Sequence, residues 1–350
     1  MKIAVGLSGG VDSSVVALML KEAGHDVTGI TMRLWREGRY LGGDRAACFG
    51  PNEENSIAQA AEFARAIGIG HEVFDCFEEY DREIIRYFRE ASLAGLTPNP
   101  CVVCNAEIKF GLLPRVARAN GLSFDVFATG HYAKIERCAN GRYAVARAAD
   151  PKKDQSYFLY RLSQEQLAGT MFPLGGMTKT EVRKYAADKG LSTADRLDSQ
   201  DFYSGDKNEL IGAPDKEGEI VNLSGKVLGR HSGFWHFTVG QRKGIGVYGP
   251  EPHYVVGLDA CRNRVVVGSR QEAYKTQFKV ADIKWMASVP TQEPIVCRAK
   301  IRSTGEPLGP VVFENGVCRA EGDGLFGVAP GQSAVFYDDC GRIVCGGVIA

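Results

Sequence analysis

A glycine- and serine-rich stretch near the start of the chain has the residue types of an anion-binding loop. It consists of Gly6, Leu7, Ser8, Gly9, Gly10, Val11, Asp12 and Ser13. An apolar run precedes it and a helical pattern follows, so that backbone N–H groups and the positive end of a helix dipole face an anion. The two adjacent glycines allow close approach of the backbone. The serines add hydroxyl donors, and Asp12 suits a metal ion or a polarised water.

The spacing in this loop excludes two common phosphate-binding motifs. A Walker A loop requires a Lys after its glycines, and none stands there. The Gly-x-Gly-x-x-Gly pattern of dinucleotide-binding folds is also absent. The pattern Ser-Gly-Gly-x-Asp-Ser resembles the pyrophosphate loop of ATP pyrophosphatases, which implies cleavage of ATP to AMP and pyrophosphate.

Cys101 and Cys104 form a Cys-x-x-Cys pair just before a helix predicted from Asn105 to about Ala119. A helix N-terminus lowers the pKa of a thiol, and Lys109 one turn further on favours the thiolate as well. Cys104 is therefore a candidate nucleophile. A zinc site needs a second pair of ligands at suitable spacing, and none is nearby. A role as ligands of an iron–sulfur cluster stays open.

Three short basic segments are candidates for contact with a phosphate backbone. They are Lys152–Lys153 with Arg161, Gln241–Lys243, and Arg298–Arg302. A solvated surface explains any one of them, whereas three in one chain favour a nucleic acid. Lys+Arg and Asp+Glu balance at 42 each, so any such binding must be local.

The order of predicted elements changes from alternating strands and helices to strands alone. The first part predicts an α/β domain with a doubly wound parallel sheet, whose ligands lie at the carboxyl ends of the strands. After about residue 200, short strands predict a small central β-rich domain and a C-terminal β-barrel. We expect the domain boundaries 1–200, 201–275 and 276–350. Gly130 follows a predicted buried strand, and so belongs to the ligand edge of the sheet.

Length and composition are those of an ordinary globular chain with more than one domain. The chain has 350 residues and ten cysteines, which are scattered apart from the Cys101–Cys104 pair. Scattered cysteines suit a reducing cytoplasm better than a disulfide framework. The apolar N-terminal run is too short for a signal peptide, and no apolar run is long enough to cross a membrane. We therefore expect a cytoplasmic protein with no membrane partner.

Along nearly its whole length the chain resembles bacterial-type tRNA-specific 2-thiouridylases. Several blocks together carry this resemblance, whereas the loop alone is shared with other families. The blocks are residues 6–13, Thr97–Pro100, Cys104–Asn105, Ile108–Phe110, Ala128–Tyr132, Lys153–Leu159, Phe172–Gly175 and Thr238–Gly244.

The resemblance implies ATP-dependent 2-thiolation of the wobble uridine in tRNA anticodons, by adenylation of O2 and then sulfur transfer. ATP with Mg²⁺ would bind residues 6–13, with Met32 and Gly130 near the nucleoside. Cys104 would be the nucleophile of the sulfur step, and a sulfur donor or carrier protein would load it. The positions that would contact tRNA are Asn99, Pro100, Cys101, Lys153, Asp154, Gln155, Arg302 and Ser303. The target base must leave its stack, which a single-stranded loop permits.

Two departures from the family pattern concern sulfur. Cys101 stands where the family commonly has Asp, and Tyr203 stands where the family has its second, persulfide-bearing cysteine. Three explanations stay open. Cys101 and Cys104 form a local persulfide–disulfide couple; Cys101, Cys104 and Cys48 hold an iron–sulfur cluster; or the chain binds tRNA without sulfur transfer.

Two other functions are alternatives to thiolation. An ATP pyrophosphatase that attaches an amine to tRNA needs no cysteine, and an RNA-binding module releases no pyrophosphate. The intact ATP loop argues against a module without catalysis.

Overall fold

The computed structural model describes residues 1–191, 201–249 and 251–350. The chain divides into two compact units. Unit 1 comprises residues 1–84, 100–207 and 341–343, and unit 2 comprises residues 85–99, 208–340 and 344–350.

The strands and helices of the described residues are numbered in chain order. The strands are β1 Lys2–Gly6, β2 Asp26–Arg33, β3 Ala47–Phe49, β4 Gly70–Asp75, β5 Val126–Ala128, β6 Ala133–Arg137, β7 Tyr143–Arg147, β8 Thr170–Met171, β9 Asp201–Tyr203, β10 Gly218–Asn222, β11 Val227–His231, β12 Tyr254–Asp259, β13 Arg264–Gly268, β14 Tyr274–Lys275, β15 Gln277–Trp285, β16 Ile295–Lys300, β17 Leu308–Glu314, β18 Val317–Ala320, β19 Leu325–Phe326, β20 Ser333–Tyr337 and β21 Ile343–Ile349. The α-helices are α1 Val11–Glu22, α2 Glu53–Ala66, α3 Phe77–Tyr80, α4 Arg86–Leu93, α5 Pro100–Val103, α6 Leu113–Ala119, α7 Gln164–Ala168, α8 Lys179–Asp188 and α9 Lys207–Ile211. Wider π-helical turns form Asp81–Ile85 and Cys104–Leu112, and 3-10 turns form Ser156–Leu159, Pro173–Gly176, Phe234–His236 and Gln271–Ala273.

Unit 1 is built on a parallel sheet with the strand order β4-β2-β1-β5-β8. Strand β1 lies between β2 and β5, with Val5 opposite both Gly29 and Ala128. The apolar faces of α1 and α8 pack on this sheet through Val15, Val16 and Val182, which are fully buried. Chain connections leave β1 in opposite directions, so the carboxyl ends of β1 and β5 form the switch point at which such sheets bind ligands. The predicted α/β fold is confirmed.

Two short sheets complete the part of unit 1 that the structure describes. Strands β6 and β7 form the hairpin that Asn140–Gly141 predicts. Strands β3 and β9 pair in parallel, with Phe49 opposite Tyr203.

Unit 2 contains two β-structures, each with its own apolar core. In the described residues, β10–β13 form a sheet in the order β11-β10-β13-β12 around Ile220, Val255 and Val265. Strands β15, β18, β17, β16, β20 and β21 close into a barrel filled by side chains such as Phe313 and Phe336, whose rings stack at 4.3 Å. The predicted central β-rich part and C-terminal barrel are confirmed, while the exact domain boundaries stay predictions. None of the helices described is both long and apolar enough to span a membrane.

Candidate active site

The glycine-rich loop leaves the carboxyl end of β1 and leads directly into α1. The Leu7 amide donates to the Ile30 carbonyl oxygen at 2.9 Å, and the Thr31 hydroxyl donates to the Leu7 carbonyl oxygen at 2.7 Å. These bonds fix the first residues of the loop to β2. The loop is therefore a rigid extension of the sheet at its switch point, as predicted.

Hydrogen bonds within the loop shape it around its backbone. The Ser13 hydroxyl accepts from the Ser8 amide at 3.2 Å and donates to the Gly10 carbonyl oxygen at 3.2 Å. Gly9 has a φ of +73°, which only glycine adopts readily. Gly10 caps α1 and offers no side chain to its first N–H groups. The Ser13 hydroxyl is thus used inside the loop, and an anion would be bound mainly by backbone N–H groups.

Gly130 lies against the start of α1, because a Cβ at this position would be 3.0 Å from both the Asp12 carbonyl carbon and the Ser13 nitrogen. A larger residue would push the loop outward. Met32 is half-buried at the carboxyl end of β2. The loop, Met32 and Gly130 thus end three adjacent strands at one edge of the sheet. Their contacts with a nucleotide stay predictions.

Lys179 is a site residue that the sequence analysis did not single out. Its ammonium group donates to both oxygens of the Asp12 carboxylate at 2.7 and 2.8 Å, and only 8% of the residue is exposed. The Tyr132 hydroxyl donates to the same carboxylate at 2.8 Å. Thr178 and Glu181 form the predicted capping box that begins α8 and places Lys179 in its first turn. Asp12 is therefore bound to a cation of the protein itself in this structure.

The helix that carries Cys101 and Cys104 begins earlier than predicted. It starts at Pro100 and runs through the π-helical turns of Cys104–Leu112 to Ala119, rather than starting at Asn105. Proline suits the first position of a helix, because its φ is helical and it needs no N–H partner there. Cys104 consequently lies one turn inside the helix, and Cys101 lies in the first turn on the same face.

The expected low pKa of Cys104 is wrong. Burial raises its pKa to about 12, and the nearby Lys109 lowers it only in part. Burial likewise raises the pKa of Cys101 to about 12, with the thiols of Cys48 and Cys104 acting in the same direction. The cause is desolvation, which outweighs the helix dipole once the helix begins a turn earlier. At neutral pH both groups are thiols.

Lys109 affects the pKa values of both Cys104 and His131. Burial and the charge of Lys109 together hold the pKa of His131 well below its usual value. His131 follows Gly130 directly, is buried, and packs between the rings of Phe110 and Phe172. A single ammonium group therefore acts on both the Cys104 thiol and the residue next to Gly130. The anion loop, Lys109 and both cysteines all belong to unit 1.

The high pKa of Cys104 predicts how its alkylation depends on pH. The rate of reaction with iodoacetamide should rise about tenfold per pH unit between pH 7 and 10, because the thiolate fraction grows throughout that range. Peptide mapping by mass spectrometry measures this rate, with the exposed Cys261 labelled in the same sample as reference. A rate for Cys104 that levels off near pH 8 would contradict the assignment.

Cys48 lies on β3, is exposed, and acts electrostatically on both Cys101 and Cys104. The three thiols were predicted as possible ligands of an iron–sulfur cluster. Within residues 1–191, 201–249 and 251–350, however, no three His, Cys, Asp or Glu side chains are arranged to hold a metal ion. The thiols as placed here do not fit a cluster.

Tyr203 occupies the expected place of a second cysteine as a packed core residue. It is fully buried, its hydroxyl accepts from the Gly42 amide at 3.0 Å, and its ring lies 5.7 Å from that of Phe49. Residues 198–200 of the block that contains it lie outside the described residues. Tyr203 therefore fills space and orders the Gly42 loop.

Two of the residues predicted to contact tRNA organise their own loop. The Asp154 side chain is fully buried and accepts from the Ala148 and Ser156 amides at 3.1 and 3.2 Å. The Asp154 carboxylate is thus enclosed by the backbone that it orders, and a contact of this residue with tRNA stays a prediction. The Gln155 side chain accepts from the Tyr132 amide at 2.9 Å. Lys153 is half-buried, and its contact with tRNA stays a prediction.

In unit 2, Arg302 and Asn99 are held by neighbouring groups. Arg302 donates to the carbonyl oxygens of Val239 and Gly327 at 2.8 and 3.0 Å, and so fixes the loop at residue 239. Asn99 is buried, and its amide donates to the Tyr87 hydroxyl at 3.2 Å. Ser303 is exposed. The predicted tRNA contacts of these three residues, and of Pro100 in unit 1, are untested.

The fold and the anion loop define a nucleotide-binding domain of the HUP type with a β-rich C-terminal half. Residues 1–203 match the family model of the tRNA methyl transferase HUP domain. Residues 211–269 match the tRNA methyl transferase PRC-barrel domain, and residues 275–349 match the aminomethyltransferase β-barrel domain.

Relatives of the full chain share one name. The chain is 42% identical over 359 residues to the tRNA-specific 2-thiouridylase MnmA of Endomicrobium trichonymphae, covering 100% of this chain and 99% of the relative. It is 43% identical over 368 residues to that of Chloroflexus aggregans, covering 99% and 98%. The chain belongs to the tRNA-specific 2-thiouridylase family. A solved 4-thiouridine synthetase–RNA complex with bound ATP overlaps 59% of this chain and 44% of its own, with 15% identity and a TM-score of 0.36.

Proposed function

We propose that this protein is a tRNA-uridine 2-sulfurtransferase that uses ATP to convert the wobble uridine of tRNA anticodons to 2-thiouridine. The observation that carries the proposal is the presence of the anion loop at the end of β1 and of the Cys101–Cys104 pair in the same compact unit. It joins a thiol to an ATP-type anion loop in one unit. Adenylation and sulfur transfer need those two groups close together.

ATP binds with its phosphates at the N-terminus of α1, and the uridine O2 attacks the α-phosphorus. The bond to the bridging oxygen breaks, pyrophosphate leaves, and AMP is esterified to the base. Backbone N–H groups at residues 9–13 stabilise the negative charge of the leaving group. Lys179 moves from Asp12 to the phosphates, because a bound polyanion competes with one carboxylate for its ammonium group. Once Lys179 has moved, the Asp12 carboxylate would be free to hold a Mg²⁺ ion that accompanies ATP, and that ion would neutralise phosphate charge.

Sulfur transfer uses the Cys101–Cys104 pair. A persulfide on Cys104 attacks C2 of the adenylated base, AMP leaves, and a disulfide joins Cys104 to the base. The Cys101 thiol then attacks the Cys104 sulfur, which releases 2-thiouridine and forms a Cys101–Cys104 disulfide. An external dithiol reduces this disulfide. The one-turn spacing of the two cysteines on a helix suits this exchange.

The name of the matching family model mentions methyl transfer, whereas the named relatives are thiouridylases. The thiols beside the anion loop favour thiolation. A sulfur donor with an accessible persulfide and a tRNA are the partners of this reaction. A cytoplasmic location, where both occur, stays a prediction.

The function is tested with the full-length protein, ATP, a tRNA transcript and glutathione persulfide or sodium sulfide as sulfur source. We expect tRNA-dependent release of pyrophosphate and formation of 2-thiouridine, measured by mass spectrometry of nucleosides. A transcript with cytidine at the wobble position is the matched control and should yield no thiolated base. Absence of 2-thiouridine with both sulfur sources would refute the proposal, and amine attachment would appear as a different mass.

A further inference from the structure

The two cysteines of the helix are poorly suited to take sulfur from an external donor. Both are only partly exposed, and burial raises both pKa values to about 12. An external persulfide is attacked by a thiolate that it can reach. The position in strand β9 at which the family has its second cysteine cannot take sulfur either, because it is occupied by the buried ring of Tyr203.

Cys48 is the exposed thiol of the same cluster. Strand β3 alternates, so that Phe49 points into the core while Cys48 is exposed. The Phe49 ring packs against the buried Tyr80 ring at 5.0 Å. Helix α3, which ends at Tyr80, packs in turn against the π-helical segment that begins at Cys104. This path of contacts connects the strand that carries Cys48 to the helix that carries Cys101 and Cys104.

The environment of Tyr80 supports this placement. Burial, followed by the thiols of Cys104, Cys48 and Cys101, raises the Tyr80 pKa well above its usual value. All three thiols therefore lie within electrostatic range of one buried hydroxyl group. They are close enough to interact but are not arranged as a metal-binding group in the described residues. A relay between thiols needs proximity without fixed metal-ligand geometry.

We propose that Cys48 is the thiol at which sulfur enters the protein and from which Cys104 receives it. This inference rests on the thiolation proposed above. The Cys48 sulfur attacks the outer sulfur of a donor persulfide; a sulfur–sulfur bond forms on Cys48, the donor's sulfur–sulfur bond breaks, and the donor leaves as a thiol with the proton that Cys48 gives up. The Cys104 sulfur then attacks the outer sulfur of the Cys48 persulfide, and the proton of the Cys104 thiol passes to the Cys48 sulfur, which regenerates the Cys48 thiol. Each step exchanges one sulfur–sulfur bond for another, so the relay needs no oxidant or reductant.

The first test maps the sulfur with ³⁴S-labelled glutathione persulfide, alkylation and peptide mass spectrometry. In full-length Cys104→Ala, the label should accumulate on Cys48. In Cys48→Ser, the label should reach Cys104 at least about tenfold more slowly than in the unmodified protein, because the accessible thiolate is missing. Cys261→Ser removes another exposed cysteine, one in unit 2, and should change neither result. Equal loading of Cys104 in Cys48→Ser, or no label on Cys48 in Cys104→Ala, would overturn the proposal.

A second measurement separates this inference from the proposed function. Free sulfide can displace AMP from the adenylated base without a relay, and should restore 2-thiouridine formation in Cys48→Ser. Restoration shows that the variant is folded and that its defect concerns sulfur entry. Failure of sulfide to restore it would assign Cys48 to the structure of the site instead. Failure of the unmodified protein with both sulfur sources would refute the proposed function itself.

Discussion

Replacement of Cys104 by alanine is expected to lower 2-thiouridine formation from persulfide by at least about 1,000-fold, because the persulfide that attacks the adenylated base forms on Cys104. Release of pyrophosphate should remain measurable, since adenylation precedes the sulfur step. The two readouts are nucleoside mass spectrometry and a coupled pyrophosphate assay. Loss of both in a folded variant would place Cys104 in adenylation rather than in sulfur transfer.

The variant Cys101→Ala tests the order of attack in the sulfur step, and Cys138→Ala is its control. Without Cys101, the disulfide between Cys104 and the base has no internal thiol to resolve it, so a covalent protein–tRNA adduct should accumulate and disappear on treatment with dithiothreitol. Cys138 is also partly exposed but directly follows β6 and is not among the thiols that act on Cys101 or Cys104, so its loss should produce no adduct. An adduct that forms equally in Cys138→Ala and Cys101→Ala would contradict the assigned order of attack.

The parts of the site that sequence patterns predict are those made by neighbouring residues. The anion loop, the Asn140–Gly141 hairpin and the capping box at Thr178 depend on contacts within a few positions. Local chemistry therefore indicates them directly. The Lys179–Asp12 pair joins residues 167 positions apart. The residues around Lys179 do not predict this ion pair, because a lysine in the first turn of a helix is ordinarily exposed to solvent.

The error over Cys104 has a different physical origin. The sequence shows a thiol, a helix and a nearby lysine, all of which favour the thiolate. It does not show the degree of burial, which has the largest influence on this pKa. The sequence likewise does not show that the Asp154 side chain is fully buried. Predictions from residue type succeed for geometry formed along the chain and fail where solvent exposure decides.

Replacement of Lys179 by methionine is expected to lower both the stability of the protein and its release of pyrophosphate, because it breaks the ion pair with Asp12. Methionine keeps the length of the side chain but removes the cation, so Asp12 retains only the Tyr132 hydroxyl among the partners described here. Breaking a buried ion pair costs about 3–5 kcal/mol, and the partial exposure of Asp12 reduces this to roughly 1–3 kcal/mol. Pyrophosphate release should also fall by at least about 100-fold, because the phosphates lose a donor in a partly desolvated site.

Two further variants separate stability from catalysis at this position. Lys189→Met breaks the ion pair with Glu22, in which both side chains are about two-fifths exposed, and should change the free energy of unfolding little, with no loss of pyrophosphate release. The double variant Asp12→Asn with Lys179→Met removes both charges and should recover most of the unfolding free energy, measured by urea denaturation, while remaining inactive. Recovery of pyrophosphate release together with stability would show that Lys179 only holds Asp12. Recovery of stability alone shows that the reaction needs at least one of the two charges that the fold no longer requires, and pyrophosphate release by the single variant Asp12→Asn then distinguishes the carboxylate from the Lys179 ammonium group.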